Sequence, residues 1–304
     1  MSEETDGPQI PWQGIGAPLT LVPPGLQAMA ASALFFSLMA ALAKVAGRTV
    51  PLFEIVFARS VVVAVLSGAK LSLDGKSFVG REPGILVMRG VLGFGALTCF
   101  YYAVVHLPLA DATVIHFMNP VFTAFFAAVV LGEHIGFVEA LLVMVSLGGV
   151  LVVARPSFLF GGDGGLEPLA VIIGLCGAVL SAAAYVTVRR LRGEAPMLIV
   201  FYFAAVCTVL SVPMLLLHAT MPSAGMMVVL LGVGVATHLG QVLITWGFRL
   251  ERAGRASSVG YLQIVFAGFW GWVLFGEMPD LWTGLGAAII VASTLALVRL
   301  HPVR

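Results

Sequence analysis

The sequence predicts an all-α integral membrane protein of ten transmembrane helices arranged as two inverted five-helix repeats. The first observation is composition: the 304 residues are 60% hydrophobic and 10% charged, with a mean hydropathy of +1.05, whereas a soluble globule is about 25% charged. The second is ten apolar stretches, each close to the roughly 20 residues that cross a hydrocarbon core. The third is an internal repeat at a constant offset of 144 residues: Leu131-Gly132-Glu133 returns as Phe275-Gly276-Glu277, and Arg155 as Arg299.

The same offset carries Ala112, Val121, Phe122, Phe125, Val129, Leu141 and Leu151 onto Ala256, Val265, Phe266, Phe269, Val273, Leu285 and Leu295. From Leu107 to Arg155 that makes ten identities in 49 positions without a gap. Upstream, Ser37 falls on Ser181 and Tyr102 on Trp246. An odd number of spans per copy makes the second copy enter the membrane upside down. Inverted repeats of this kind belong to secondary transporters and place a substrate site near the midplane between the copies.

In chain order, residues 1–25 form an N-terminal tail with the acidic run Ser2-Glu3-Glu4-Thr5-Asp6 and no Lys or Arg before the first span. It lacks the basic start of a cleaved signal. The first repeat, 26–155, holds spans at 26–45, 52–69, 85–105, 109–131 and 136–154. A linker at 156–167 contains the flexible Gly161-Gly162-Asp163-Gly164-Gly165 stretch. The second repeat, 168–299, holds spans at 168–188, 196–217, 223–247, 256–275 and 280–298, followed by a tail at 300–304. Small residues, Ser146 and Gly149 in the fifth span and Gly284, Ala288 and Ala292 in the tenth, permit close helix contact within one chain or in a homodimer; a monomer is adequate. Cys99, Cys176 and Cys207 all lie in apolar spans without CxxC spacing and read as small apolar residues.

With the N-terminus inside, twelve Lys and Arg fall on the inner side (Lys70, Lys76, Arg81, Arg89, Arg189, Arg190, Arg192, Arg249, Arg252, Arg255, Arg299, Arg304) and three outside (Lys44, Arg48, Arg155). The positive-inside rule therefore expects both termini in the cytoplasm; the expected location is the cytoplasmic (inner) membrane.

The repeat, the spans, and the motif residues Glu54 to Arg59, Asn119-Pro120-Val121-Phe122 and the two Gly-Glu pairs at 132–133 and 276–277 together resemble the EamA-type branch of the drug/metabolite transporter superfamily. The resemblance runs from about residue 26 to 299. Members similar to this chain include amino-acid exporters of the YddG type, exporters of other metabolites and nucleotide-sugar carriers. It implies alternating access around a cavity formed mainly by spans 1, 3, 4, 6, 8 and 9. The second copy departs from the first where Pro120 aligns with Ile264 and Arg59 with Phe203.

Among candidate substrate residues Arg59 is the sharpest, since an arginine inside a span costs roughly 2.5 kcal/mol or more unless it meets water, a partner or a ligand. It either binds a substrate carboxylate or phosphate, or is structural, pairing with Glu54 or a helix end or snorkelling outward. Thr113, His116, Asn119 and Thr123 share one face of the fourth span, and Ser257, Gly260, Gln263 and Ala267 the aligned face of the ninth. The pseudo-twofold sets Asn119 opposite Gln263, either as ligands of a zwitterion or as interhelical glue. Phe94, Thr98, Tyr101 and Tyr102 share a side of the third span, and His238, Gln241 and Thr245, with Trp246 adjacent, a side of the eighth. Tyr102 and Trp246 suit a cavity wall or the membrane interface equally. Tyr185 and Tyr261 are candidates for the inner vestibule. His116 and His238 read as packing histidines rather than proton carriers, and Glu133 and Glu277 as caps and fold markers.

No P-loop is present. No Asp is expected within a span, and Glu54, near a span end, is taken as the only intramembrane Glu, so a carboxylate relay is not expected. The expected activity is export of small metabolites, amino acids first, by facilitated transport or exchange; nucleoside-like metabolites such as S-adenosylmethionine, or drugs, are the alternatives. An enzyme would need paired carboxylates, a metal cluster or a nucleophile with its base, and a channel rings of identical polar side chains; neither pattern is present. The expected partners are a small-molecule substrate and the lipid bilayer, with no nucleic acid, cofactor or metal.

Overall fold

The computed structural model describes residues 22–134, 136–160, 166–218 and 221–299. Most of the N-terminal tail, the glycine stretch at 161–165 and the tail at 300–304 lie outside them. The described residues form α1 (Pro24–Ala46), α2 (Leu52–Leu73), α3 (Pro83–His106), α4 (Leu109–His116), α5 (Asn119–Leu131), α6 (Phe137–Ala154), α7 (Ser157–Phe160), α8 (Pro168–Arg190), α9 (Pro196–His218), α10 (Ala224–Leu250), α11 (Ala253–Val259), α12 (Leu262–Phe275) and α13 (Leu281–Arg299), with a 3₁₀ turn at Leu191–Gly193. Ten stretches are long and apolar enough to cross a membrane; the fourth and ninth each consist of two helices, α4–α5 and α11–α12. Their outer faces carry large exposed apolar side chains such as Val65, Phe125, Val129, Met144, Val228 and Trp272, as lipid contact requires.

Each seam in the first copy has a counterpart in the second. α1 lies along α10 as α8 lies along α3, α3 along α9 as α10 along α2, and α5 along α8 as α12 along α1, while α2–α9 and α6–α13 cross the pseudo-twofold itself. We call the end holding the start of α1 and the end of α13 the terminal face, and the other the distal face. The Gly-Glu pairs close α5 and α12 identically. Gly132 and Gly276 take the left-handed conformation (φ 65° and 68°), and the amides of Gly132 and Glu133 both reach Ala127 O as those of Gly276 and Glu277 reach Gly271 O. A glycine is there because a Cβ disfavours that backbone.

In the α6–α13 seam Ser146 and Ser293 hydroxyls lie 2.7 Å apart, and a Cβ on Gly286 would fall 2.7 Å from Gly149 O and 2.5 Å from Val153. The expected small stripe Gly284, Ala288 and Ala292 instead faces outward. Gly286→Leu is expected to cost about 1–3 kcal/mol by overpacking, seen as a lower melting temperature in detergent, whereas Gly284→Leu, whose Cβ meets nothing within 4 Å, leaves it unchanged.

Within the linker Ser157 starts the single turn α7, its N–H and Oγ donating to Asp111 at 2.8 and 2.7 Å. Two expectations need correction. Asp111 and Glu139 do lie inside membrane helices, but both occupy end turns as caps, Glu139 accepting from Gly136 N at 3.3 Å. Arg89 is no loop residue; it is buried seven residues into α3, which leaves eleven inner basic residues against three. At the distal face Asp280 caps α13, accepting from Thr283 N at 2.9 Å and Thr283 Oγ1 at 2.7 Å, with Arg155 ion-paired beside it. The Thr283 bonds first, then Arg155, hold its carboxyl down at about 2. That stabilisation is whole above the ordinary carboxylate range and is lost as pH falls through about 2.

Candidate substrate cavity

The two broken spans part at matching places, α4–α5 at Phe117-Met118 and α11–α12 at Gly260-Tyr261; the repeat offset carries Phe117 onto Tyr261. In the first copy the cause is Pro120, which has no N–H and whose ring crowds the carbonyl four residues back. That carbonyl, His116 O, instead accepts from Asn119 Nδ2 at 2.8 Å. The second copy has no proline there. Around Gly260 the chain tightens through three-residue bonds, Gly260 N to Ser257 O, Tyr261 N to Ser258 O and Gln263 N to Gly260 O at 3.0–3.2 Å. A Cβ on Gly260 would sit 2.9 Å from Ser257 O.

Between the breaks lies a cavity whose empty space, with the open solvent at its mouth, is about 440 Å³. α4–α5 give His116, Phe117, Asn119 and Pro120; α11–α12 give Ser257, Gly260 and Gln263; α1 gives Met29, Ser32, Ala33 and Phe36; Tyr185 of α8 and Ile244 and Phe248 of α10 complete the wall. Tyr185 stacks on Phe248 with ring centroids 4.8 Å apart. Ser32 and Ser257 hydroxyls donate to Gly240 O and Gly254 O. Among the described residues neither the Gln263 amide nor the His116 ring has a side-chain hydrogen bond, and the His116 ring lies beside those of Phe100 and Phe117, with centroids 4.4 and 5.5 Å away. Polar groups without protein partners inside an aromatic wall are what a polar organic ligand needs. None of the lining residues is Asp, Glu, Lys or Arg.

The structure brings four predicted residues, His116, Asn119, Tyr185 and Gln263, together in the cavity lining. The other six lie elsewhere. Arg59 is buried against α1, its Nη1 4.0 Å from Met39 Sδ, outside the cavity lining. Tyr102 stacks on His106 at 4.0 Å near the distal end of α3. His238 Nδ1 lies 3.3 Å from Ser67 Oγ, Gln241 accepts from Arg89, and Arg249 covers the Trp246 ring at 5.3 Å. Tyr261 does not line a vestibule: it is fully buried among Val114, Val143, Val150 and Ile290, because the turn at Gly260 rotates it away from the face shared by Ser257 and Gln263. Span 3 supplies no lining residue, and the contribution of span 1 went unseen since Met29, Ala33 and Phe36 look like ordinary lipid-helix residues.

Ion pairs join the repeats on either side of the cavity, at the distal face Arg155–Asp280 beside the pair made by Glu277. At the terminal face Glu133 Oε1 meets Arg189 Nε at 2.9 Å, both 15% exposed or less. Glu133 Oε2 also accepts from Ala253 N at 2.8 Å, capping α11. Arg189 Nη1 further donates to Phe248 O and Arg249 O. At the distal face Glu277 meets Lys44 at 2.5 Å, both more than half exposed. The inequality is in the sequence: the repeat counterpart of Arg189 is Val45, and that of Ala253 is Leu109.

Residues 23–155 and 168–299 each match the EamA-like transporter family. The chain belongs to that family. The pseudopaline exporter CntI of Pseudomonas aeruginosa is 35% identical over 92% of this chain and 98% of its own length. Solute carrier family 35 member G1 of Homo sapiens is 33% identical over 80% and 69%, and an S-adenosylmethionine uptake transporter of Rickettsia prowazekii 24% over 84% and 86%. A solved crystal structure superposes with a TM-score of 0.79 over 91% of this chain and 96% of its own at 18% identity, a likeness of fold alone. Family and relatives alike are transporters, and membrane transport of small metabolites is the activity of this EamA-like chain.

Proposed function

We propose that this carrier exports amino acids, or metabolites that carry the same amino and carboxylate groups, across the cytoplasmic membrane by alternating access, with the terminal face in the cytoplasm. The observation that carries the reading is the cavity between two matched helix breaks, with the Asn119 and Gln263 amides and the His116 imidazole set among Phe36, Phe117, Tyr185 and Phe248. A zwitterion finds donors and acceptors there, and its side chain finds aromatic surface. Export is supported by the relative named a pseudopaline exporter, and the orientation by eleven basic residues against three. Without a carboxylate in the cavity lining, flux runs down a substrate gradient or by exchange. A second reading, nucleoside-like substrates, is supported by the same aromatic walls and by the relative named for S-adenosylmethionine uptake.

The test is uptake of radiolabelled amino acids, with nucleosides and S-adenosylmethionine as comparators, into proteoliposomes of the full chain. Saturable amino-acid entry, accelerated by unlabelled amino acid inside and unchanged when a pH gradient is removed, is the expected result. Silence on every amino acid with flux of a comparator replaces the first reading by the second.

A further inference from the structure

The cavity holds no charge, yet the substrate proposed for it carries a carboxylate. Close by, Arg89 of α3 is 3% exposed, and among the described residues it forms no ion pair, whereas Arg189 and Arg255 have Glu133 and Glu251 at 2.9 and 3.6 Å. Its guanidinium rests on the Phe203 ring, 4.3 Å from the centroid, and Nη2 donates to Gln241 Oε1 at a long 3.4 Å. Nε and Nη1 have no hydrogen-bond partner among the described residues. The Tyr185 phenol and the Cys207 thiol lie within its electrostatic reach, neither of them ionised at neutral pH when unperturbed. Room for the group is built in: a Cβ on Gly93 would strike Arg89 Nη1 at 2.6 Å and the Phe203 ring at 2.5 Å.

Burying a cation with orphan donors and no counter-charge is costly, and such a group in a membrane bundle ordinarily faces a partner or a substrate path. Arg89 adjoins that path. Gln241 stands three and seven residues before Ile244 and Phe248 on α10, hence on their face, and both of those line the cavity, as does Tyr185. A guanidinium offers forked donors that fit a carboxylate better than an amide oxygen.

We propose that Arg89, seconded by Gln241, is the carboxylate-binding subsite of the carrier, reached from the cavity past Tyr185 during the transport cycle. The proposal rests on the amino-acid reading above and deepens it.

The test uses the full chain in proteoliposomes and the labelled amino acids, each paired with its α-carboxamide. Wild type is expected to prefer the carboxylate at least about tenfold. Gln241→Glu sets an internal carboxylate against Arg89 with little change of shape. It is expected to keep the folded, monodisperse protein, lose carboxylate flux about tenfold or more, and leave carboxamide flux as it was. Arg89→Met is expected to bring the carboxylate-to-amide ratio to about one. The proposal is overturned if Gln241→Glu retains wild-type carboxylate flux, loses both fluxes together or fails to fold, since each makes Arg89 a structural cation on Phe203. Failure of the amino-acid reading itself is told apart by the wild type, which would then carry no amino acid in either form; that result overturns the subsite as well.

Discussion

Glu133→Ala is expected to destabilise the protein by about 3–5 kcal/mol, the usual result of leaving one member of a buried ion pair alone. Arg189 would keep only Phe248 O and Arg249 O, and α11 would lose the carboxylate that receives Ala253 N. Glu277→Ala, at the related position, removes an exposed pair with Lys44 and is expected to cost about 0–1 kcal/mol. Melting in detergent checks the difference. Arg189→Met added to Glu133→Ala should recover part of the loss, since the stranded charge goes with it, leaving about 1 kcal/mol for the missing cap. Equal losses at Glu133 and Glu277 would contradict this.

Gln263→Leu and Asn119→Leu should separate substrate binding from folding. Gln263 has no side-chain hydrogen bond among the described residues, so its loss is expected to leave the melting temperature unchanged and raise KM about tenfold, the worth of one or two ligand hydrogen bonds. Asn119 Nδ2 also satisfies His116 O at the helix break. Its replacement orphans a buried carbonyl and is expected to cost about 1–3 kcal/mol of stability as well as a similar rise in KM. Saturation curves for reconstituted protein beside melting curves give both numbers. A Gln263→Leu variant with wild-type KM would remove that amide from the site.

Span number and position were legible because the bilayer sets length and polarity together; the ten expected spans overlap the observed helices closely. The pairing of Asn119 with Gln263 was legible for another reason, since a repeat at fixed offset carries a position in one copy onto the other. Continuity of a helix was not. A hydropathy window sees Phe117 and Tyr261 as apolar and passes over both breaks, although Pro120 marked the first; Gly260, the cue to the second, resembles the glycines that merely let helices approach. Arg59 and Arg89 lie equally deep, eighth and seventh in their helices. Depth alone could not rank them, and what distinguishes Arg89 is its neighbourhood, the Phe203 ring and the Gln241 amide. Tyr261 was not legible as a core residue because its place depends on the break at Gly260, beyond which it packs among Val114, Val143 and Ile290.

The most direct test of a carrier working through this cavity is the sidedness of a thiol at position 263, with Cys99, Cys176 and Cys207 replaced by alanine. A membrane-impermeant thiol reagent would be applied to Gln263→Cys protein in vesicles of either orientation, with and without transported amino acid. Alternating access at this site predicts modification from both faces, slowed by the amino acid in each. Modification from one face only, or at a rate indifferent to substrate, would contradict it.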